Sequence, residues 1–176
     1  MFRSSRVLRL CALVLTLAAA LLVLAPAPPA EAQEVLVARW VDRDGHELAR
    51  RGFAIDTLEA LAPATVVTTT PWTEGVMRFT GPRLDTLAAL EPQDGEVIAA
   101  RMTALNEYTI EVPAQDWSAH DLVLATRADG QRMRVRDGGP IWLVYPLDAD
   151  PSLQTQQYYY RMIWQLREIV FVVGAA

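Results

Sequence analysis

The chain has 176 residues, 16 of them basic and 21 acidic, and a formal net charge of −5. This acidic balance excludes the broad basic surface on which nucleic-acid binding depends. The only cysteine, Cys11, lies near the N-terminus, so the rest of the chain has no disulfide, thiolate nucleophile or thiolate metal ligand.

The first 32 residues have the pattern of a secretory signal peptide. Three arginines precede an apolar run over residues 10–24, and Ala30-Glu31-Ala32 is an A-x-A cleavage site. The alternative is a retained membrane anchor, but the run is near the lower limit for a span and a Pro- and Ala-rich tail follows it. We therefore predict cleavage before Gln33 and a periplasmic or otherwise exported domain, residues 33–176, with no membrane span.

The first half of this domain alternates predicted strands with short helices. β-branched and alternating apolar residues predict strands over residues 34–42, 64–70 and 76–79. Asp44-Gly45 is typical of a turn. Helical spacing predicts two short helices, over residues 56–61 with Asp56 as the N-cap and over residues 84–90.

The second half is richer in strands. Strands are predicted over residues 96–103 and 108–112, with a helical turn at Asp116-Trp117. Asp129-Gly130 favours a two-residue hairpin turn, whose second strand would run to the Gly138-Gly139-Pro140 corner. An apolar strand, Ile141 to Tyr145, and a last apolar segment over residues 163–173 follow. The sequence predicts a single α+β domain that is mainly β.

Several short motifs occur in an order that suggests a family. They are Phe79-Thr80-Gly81, Ala104-Leu105-Asn106-Glu107-Tyr108, Val123-Leu124-Ala125 with Asp129-Gly130, Gly139-Pro140 through Leu143-Val144 to Pro146, and Trp164 before Ile169. This order resembles the molybdopterin-binding oxidoreductase domain, the sulfite-oxidase-like fold, over about residues 64–172. The resemblance implies that fold for residues 33–176.

The resemblance also implies a molybdenum cofactor held by one cysteine thiolate, just before the Phe-x-Gly segment. That region here is Thr68-Thr69-Thr70, and threonine hydroxyls are poor substitutes for a thiolate. Trp142 and Ile163 stand where many members carry Arg and Lys, which a phosphate-bearing pterin would need. We expect the fold without its cofactor chemistry, so no cofactor is predicted, and molybdopterin follows from the resemblance alone.

An arginine row is the first candidate binding feature. Arg132, Arg134 and Arg136 alternate along the predicted second hairpin strand, which would place them on one face, joined across the hairpin by Arg127. One interpretation is a solvated face paired with nearby carboxylates. The other is a docking patch for an anionic ligand or an acidic partner.

An unusual set of aromatic residues is the second candidate. Tyr158-Tyr159-Tyr160 is a run of three tyrosines, and Trp142 and Tyr145 occupy the strand after the Gly-Pro corner. These side chains either fill the core or, if the family's cleft survives, place Trp142 at its lip to stack on a flat ligand. The tyrosine run either fills a groove or forms the rim of an interface.

No catalytic or metal-binding residues are predicted. Ser118 and His120 lack a G-x-S-x-G elbow and an implied partner acid, and His46 and His120 have no metal-ligand spacing. Asp42-Arg43-Asp44-Gly45 lacks the later ligands of a calcium loop and is interpreted as a turn.

The sequence therefore favours an exported, non-catalytic module that binds a small ligand or an envelope protein partner. One alternative is a molybdopterin-dependent oxidoreductase that holds its cofactor without a cysteine. Another is an interaction subunit or sensory partner of an envelope complex.

Overall fold

A computed structural model describes residues 33–91 and 94–174. The predicted signal peptide and cleavage triplet lie outside these residues. Within them, strands β1 to β11 span Glu34–Val41, Glu47–Ala54, Pro63–Thr68, Met77–Pro82, Val97–Ala104, Thr109–Pro113, Val123–Ala125, Arg127–Ala128, Gln131–Arg132, Trp142–Val144 and Leu166–Val173. Helices α1 to α4 span Ile55–Ala60, Leu84–Ala88, Ala114–Ala119 and Gln156–Arg161, and two 3-10 turns span Val135–Asp137 and Pro151–Leu153.

The largest sheet has five strands in the order β2-β1-β11-β5-β6. Strands β1 and β11 pair in parallel, with Val37 opposite Glu168 and Val41 opposite Val172, and the other neighbours are antiparallel. Parallel neighbours need a long crossover connection. Here almost the whole described chain forms that connection, so the first and last strands lie side by side in the sheet.

One face of this sheet forms much of the core. Alternation along β1 turns Leu36, Ala38 and Trp40 inward, and all three are fully buried. The Trp40 ring packs against Phe171 of β11 at a centroid distance of 5.2 Å, and its indole Nε1 donates a 2.9 Å hydrogen bond to the carbonyl oxygen of Ala88. This bond attaches the C-terminal end of α2 to the sheet.

Two smaller sheets complete the described fold, β3-β4-β8-β9 and the pair β10-β7. Strand β4 packs closely against β7 because residue 81 is glycine: a Cβ there would overlap the Leu124 carbonyl oxygen. Both β7 and β10 are buried along their whole length. Strand β10 therefore carries Trp142 through the interior.

The mainly β, single-domain prediction is confirmed. The Asp129-Gly130 turn is also confirmed, because both residues have positive φ, 49° and 79°, and they join the paired strands β8 and β9. Strand β2 was not predicted. The N-cap prediction was wrong: α1 begins at Ile55, with Ala54 as its N-cap and no side-chain cap.

The long second strand of the hairpin was also predicted wrongly. Strand β9 ends at Arg132, and the chain turns at Val135–Asp137 into a 3-10 segment ended by Gly138 at φ 88°. Met133 is buried and its amide donates to the Thr126 carbonyl oxygen, which holds the chain against the core just before this turn. Among residues 33–91 and 94–174, no helix is long and apolar enough to cross a membrane.

Candidate functional site

A groove lined by aromatic rings lies at one edge of the five-stranded sheet. We call it the aromatic groove; its lining residues are Trp72, Ala104, Asn106, Tyr108, Tyr159, Tyr160, Met162, Ile163 and Trp164. Its volume is about 330 Å³, which lies within the range of small-ligand sites. Aromatic faces with few polar groups are typical of sites that bind flat or ring-bearing ligands.

Four separate segments build this groove. Trp72 comes from the loop after β3, Tyr108 immediately precedes β6, Tyr159 and Tyr160 belong to α4, and Trp164 lies between α4 and β11. Pairing of Leu166 with Ala104 and a 2.9 Å hydrogen bond from the Leu105 amide to the Gln165 carbonyl oxygen join the end of β5 to the start of β11. The sheet register therefore assembles the groove.

Trp142 supports the groove from inside the domain. It is 4% exposed, and its indole Nε1 donates a 3.0 Å hydrogen bond to the Met162 carbonyl oxygen. Its ring lies 5.7 Å from Trp164, 6.0 Å from Trp72 and 5.4 Å from Phe79. Of the two alternatives for Trp142, the structure matches the one in which the ring fills the core, because β10 is buried along its whole length.

The rings above Trp142 are exposed to solvent. Trp72, Tyr108 and Tyr160 are 44%, 44% and 59% exposed. Trp72 meets Trp164 edge-on, with centroids 5.1 Å apart and planes at 89°, and contacts Tyr159 at 6.3 Å and 79°. Edge-to-face contacts of this kind are a favoured packing of aromatic rings, and they hold Trp72 against Trp164 and Tyr159.

The indole N–H groups divide into two classes. Those of the buried Trp40 and Trp142 donate to backbone carbonyl oxygens inside the core. Those of Trp72 and Trp164 in the groove, and that of Trp117 in α3, make no hydrogen bond within the described chain. Indole N–H groups usually find a partner when buried. The two groove tryptophans therefore offer donors to a bound molecule.

A buried carboxylate fixes α4, the helix that carries the tyrosines. Asp116 Oδ2 accepts 2.7 Å hydrogen bonds from the Tyr145 hydroxyl and from Arg161 Nη1. The Arg161 guanidinium also lies 5.7 Å from the centre of the Tyr158 ring. Burial, and then the bond to Asp116, raises the pKa of the Tyr145 hydroxyl. Tyr145 and Tyr158, both predicted as binding residues, do not line the groove; Tyr145 is fully buried, and its ring packs against Tyr158 at a centroid distance of 5.4 Å.

The three threonines at the expected cofactor-ligand position are engaged in internal hydrogen bonds. Thr68 is fully buried; its Oγ1 donates to the Thr69 carbonyl oxygen and accepts from the Asp148 amide, both at 3.1 Å. The Thr69 amide and hydroxyl donate to the two Asp148 carboxylate oxygens, both at 2.7 Å. The Thr70 hydroxyl shares a 2.9 Å hydrogen bond with that of Thr73. These hydroxyls tie the loop that carries Trp72 to neighbouring segments.

The predicted arginine row does not form along one strand. Only Arg132 lies in β9, where it is paired with Arg127 of β8 as predicted. Arg136 lies in the 3-10 turn and Arg134 precedes it. The alternation fails because the chain leaves the sheet after Arg132.

Carboxylates accompany all four of these arginines. Glu59 accepts two hydrogen bonds from Arg127, both at 3.0 Å, and Arg132 reaches the same carboxylate at 2.7 Å and also contacts Asp56. Arg134 and Arg136 lie 2.6 Å and 3.8 Å from Asp137. This geometry matches the paired, solvated face of the first interpretation, and Arg134 and Arg136, which share Asp137, are 66% and 72% exposed.

Glu59 gives this cluster a pH dependence. The hydrogen bond from Arg132, and then that from Arg127, lowers the pKa of Glu59 from 4.5 to about 2. A depressed carboxyl pKa stabilises the fold above pH 4.5, and this contribution is lost as the pH falls towards 2. After a discount for solvent screening of the half-exposed arginines, we expect Glu59→Gln to cost about 1–2 kcal/mol at pH 7.

Urea unfolding at pH 7 and pH 2.5 measures this effect. The cost of Glu59→Gln relative to the unchanged protein should shrink at the lower pH. The control Asp137→Asn removes an exposed partner of Arg134 and should change the free energy of unfolding at pH 7 by less than about 0.5 kcal/mol. An equal cost of Glu59→Gln at both pH values contradicts the assignment.

The other sequence candidates have local structural roles. Asp42 Oδ1 accepts 2.9 Å hydrogen bonds from the amides of Asp44 and His46, which confirms the predicted turn. His46 Nδ1 lies 2.8 Å from Asp42 Oδ2 and lowers the Asp42 pKa. Ser118 and His120 share a polar cleft, but the Ser118 hydroxyl donates to the Gln115 carbonyl oxygen of its own helix. Nothing in this geometry activates a nucleophile.

No protein-family model matches the chain, and comparison with curated proteins found no match. The functional argument therefore depends on the site itself. The sequence did not predict Trp72, Tyr108 or Trp164 as binding residues, because they are isolated aromatic residues in three different segments.

Proposed function

We propose that the chain is an exported, non-catalytic binding module with a sulfite-oxidase-like fold, and that it binds its ligand or partner in the aromatic groove. The observation that carries the proposal is the exposed set of rings at Trp72, Tyr108 and Tyr160, held in place by a buried support. Solvent-exposed aromatic rings grouped in one concave site mark a binding surface rather than a core.

The donor chemistry near Thr68 supports the non-catalytic part of the proposal. The family's cofactor requires a soft thiolate on molybdenum. Thr68, Thr69 and Thr70 provide neutral hydroxyls, and each of these is hydrogen-bonded to a neighbouring residue of the chain. These residues do not fit a molybdenum cofactor, so no reaction step is assigned to that cofactor.

The two positions at which many members of the family carry pterin-binding cations also support the non-catalytic part of the proposal. Trp142, where many members have arginine, is buried and donates to the Met162 carbonyl oxygen. Ile163, where many have lysine, is 2% exposed. An apolar floor replaces the positive charge that phosphate recognition requires, and this supports a groove that binds uncharged or aromatic chemistry.

Metal and pterin content test this proposal directly. The exported protein should be purified from a host that synthesises molybdenum cofactor, and its molybdenum and the fluorescence of extracted, oxidised pterin should be measured. We expect both to be far below one equivalent per chain, because no thiolate lies within residues 33–176. A molybdenum-cofactor enzyme with a cysteine ligand, produced in the same host and purified in the same way, controls for cofactor supply and for loss of cofactor during purification. Stoichiometric molybdenum with pterin in the unchanged protein would overturn the non-catalytic assignment.

A further inference from the structure

The lining of the aromatic groove carries no formal charge. Its residues include no aspartate, glutamate, arginine or histidine. Arg161, which follows Tyr160 in α4, is held by Asp116 at 2.7 Å. Because a charge that is taken out of water without a countercharge costs free energy, the groove favours a neutral ligand over a phosphate, a carboxylate or an ammonium ion.

The tyrosine hydroxyls of the groove offer both donors and acceptors of hydrogen bonds. The Tyr108 hydroxyl donates to the Tyr160 carbonyl oxygen at 3.2 Å and keeps its lone pairs for a ligand. The Tyr160 hydroxyl accepts from the Gln156 amide nitrogen at 2.5 Å and keeps its proton. The Tyr159 hydroxyl has no hydrogen-bond partner among the described residues, so it is free both to donate and to accept.

Two indoles and an amide add to this mixture. The indole N–H groups of Trp72 and Trp164 have no acceptor within the described residues. The Asn106 side-chain oxygen accepts from the Tyr108 amide at 3.2 Å and retains a second lone pair, and the NH₂ group of Asn106 is free to donate. A hydrocarbon ligand would displace water from these groups without replacing its hydrogen bonds, which costs free energy. The ligand must therefore carry both donors and acceptors.

The ring contacts of Trp72 provide no parallel pair that would enclose a flat aromatic ligand. Trp72 meets Trp142 at 59°, Tyr159 at 79° and Trp164 at 89°. The Trp72 side chain is also 44% exposed to solvent. These contacts favour a ligand ring that packs one face on an aromatic side chain and keeps its other face in water.

A pyranose sugar has the complementary chemistry. Its faces are C–H surfaces that pack on an aromatic ring, and the hydroxyls around its edge each donate one hydrogen bond and accept two. Tyrosine and tryptophan show the same division, because each has an apolar face and a polar group at its edge. A stacked sugar therefore uses the faces of the groove rings and their polar groups together, and its second face stays hydrated.

An extended peptide is the competing partner for this groove. Its amides also donate and accept hydrogen bonds, and an extended chain is commonly recognised by addition to an open strand edge. Ala104 is the only lining residue that belongs to a strand, and it ends β5, which lies between β11 and β6. Because no open strand edge lines the groove, its separate side-chain groups suit the hydroxyls around a sugar ring better than a regular row of peptide amides.

We propose that the aromatic groove binds a neutral oligosaccharide, with pyranose rings stacked on the exposed rings of Trp72 and Tyr160. The sugar hydroxyls form hydrogen bonds with Tyr159, Trp164 and Asn106. This proposal rests on the proposed function, because it names the ligand class of the same groove. It is independent of whether the wider fold is that of the molybdopterin-binding family.

Indole NMR signals give the decisive test. The exported protein has five tryptophans, hence five indole N–H cross-peaks when labelled with ¹⁵N. Titration with cellohexaose or chitohexaose, two neutral oligosaccharides of pyranose units, should with at least one of them shift the peaks of Trp72 and Trp164 to saturation. The peaks of Trp40 and Trp117, which do not line the groove, should remain unchanged. The affinity should be the same at low salt and at about 500 mM salt, because no formal charge takes part.

Three variants and one matched control connect the shifts to the groove. Trp72→Ala and Tyr160→Ala should each weaken oligosaccharide binding at least tenfold, because each removes an exposed ring of the groove. Tyr159→Phe keeps the ring but removes a free hydroxyl, and a loss of about threefold to tenfold is expected. Leu48→Ala changes a side chain of similar exposure, 50%, on β2 and should leave the affinity unchanged. Wild-type affinity in both alanine variants of the groove would overturn the proposal, and an unshifted Trp40 peak shows that each variant keeps its core.

A titration with peptides separates this proposal from the proposed function. If a capped decaproline or a capped Gly-Ser decapeptide shifts Trp72 and Trp164 while neither oligosaccharide does, the sugar assignment is overturned and the binding module stands. If neither oligosaccharide shifts any of the five peaks, the sugar assignment is likewise overturned. Failure of the proposed function itself has a different readout, stoichiometric molybdenum and pterin in the purified protein.

Discussion

Replacing Trp142 with alanine is expected to lower the free energy of unfolding by about 3–5 kcal/mol, the usual cost of removing a large ring from a packed core. The ring is 4% exposed and packs between Phe79 and Trp164. Its loss also leaves the Met162 carbonyl oxygen without its donor. Because Met162 and Trp164 line the groove, the variant should weaken the groove together with the fold.

Trp72→Ala is the matched control for this prediction. Trp72 contacts the same ring cluster but is 44% exposed, so about 1–2 kcal/mol is expected. Urea unfolding curves at neutral pH give both values, with the slope against urea unchanged if the two variants remain two-state. Equal destabilisation by the two substitutions would show that Trp142 is not the buried support of the groove.

Replacing Asp116 with alanine is expected to cost about 3–5 kcal/mol, as is typical when one partner of a buried ion pair is removed. A single carboxylate oxygen accepts from both Tyr145 and Arg161, so the substitution leaves the buried Tyr145 hydroxyl without an acceptor and removes the ion pair of the partly buried Arg161. Since Arg161 ends α4, the helix should also lose its fixed position. The free energy of unfolding at pH 7 measures the first effect.

Two further variants calibrate the Asp116 result. Tyr145→Phe removes only one hydrogen bond to that carboxylate, and about 1–2 kcal/mol is expected. Glu111→Ala breaks an ion pair with Arg101 whose side chains are 58% and 55% exposed, and less than about 1 kcal/mol is expected. In the double variant that combines Asp116→Ala with Tyr145→Phe, the Tyr145 change should lower the free energy of unfolding by less than it does alone, because the Asp116 oxygen has already been removed.

Local sequence signals predicted much of the strand content. Strands β1, β3 and β5 follow runs of β-branched or alternating apolar residues, and the Asp129-Gly130 turn follows from the positive φ that it requires. Strand β2 was missed because Ala49-Arg50-Arg51-Gly52 has no alternating apolar pattern. Its extended conformation is set by pairing with β1, an interaction that its own sequence does not encode.

The two candidate sites show the limit of pattern reasoning. Alternating arginines predicted a shared face, but Glu59, distant in sequence, binds both Arg127 and Arg132, and the chain turns away before Arg134. For the aromatic residues, composition identified the unusual content without distinguishing a buried ring from an exposed one. That distinction depends on which segments cover a ring.

The sequence alone determined a mainly β domain, the hairpin turn and the absence of any cysteine thiolate in residues 33–176, because these depend on residue type and local spacing. Only the tertiary structure decided which tryptophans are buried. Sheet register places Trp164 beside the end of β5, the loop after β3 brings Trp72 to it, and β10 carries Trp142 beneath both. A binding surface built from separated segments exists only after long-range packing has brought them together.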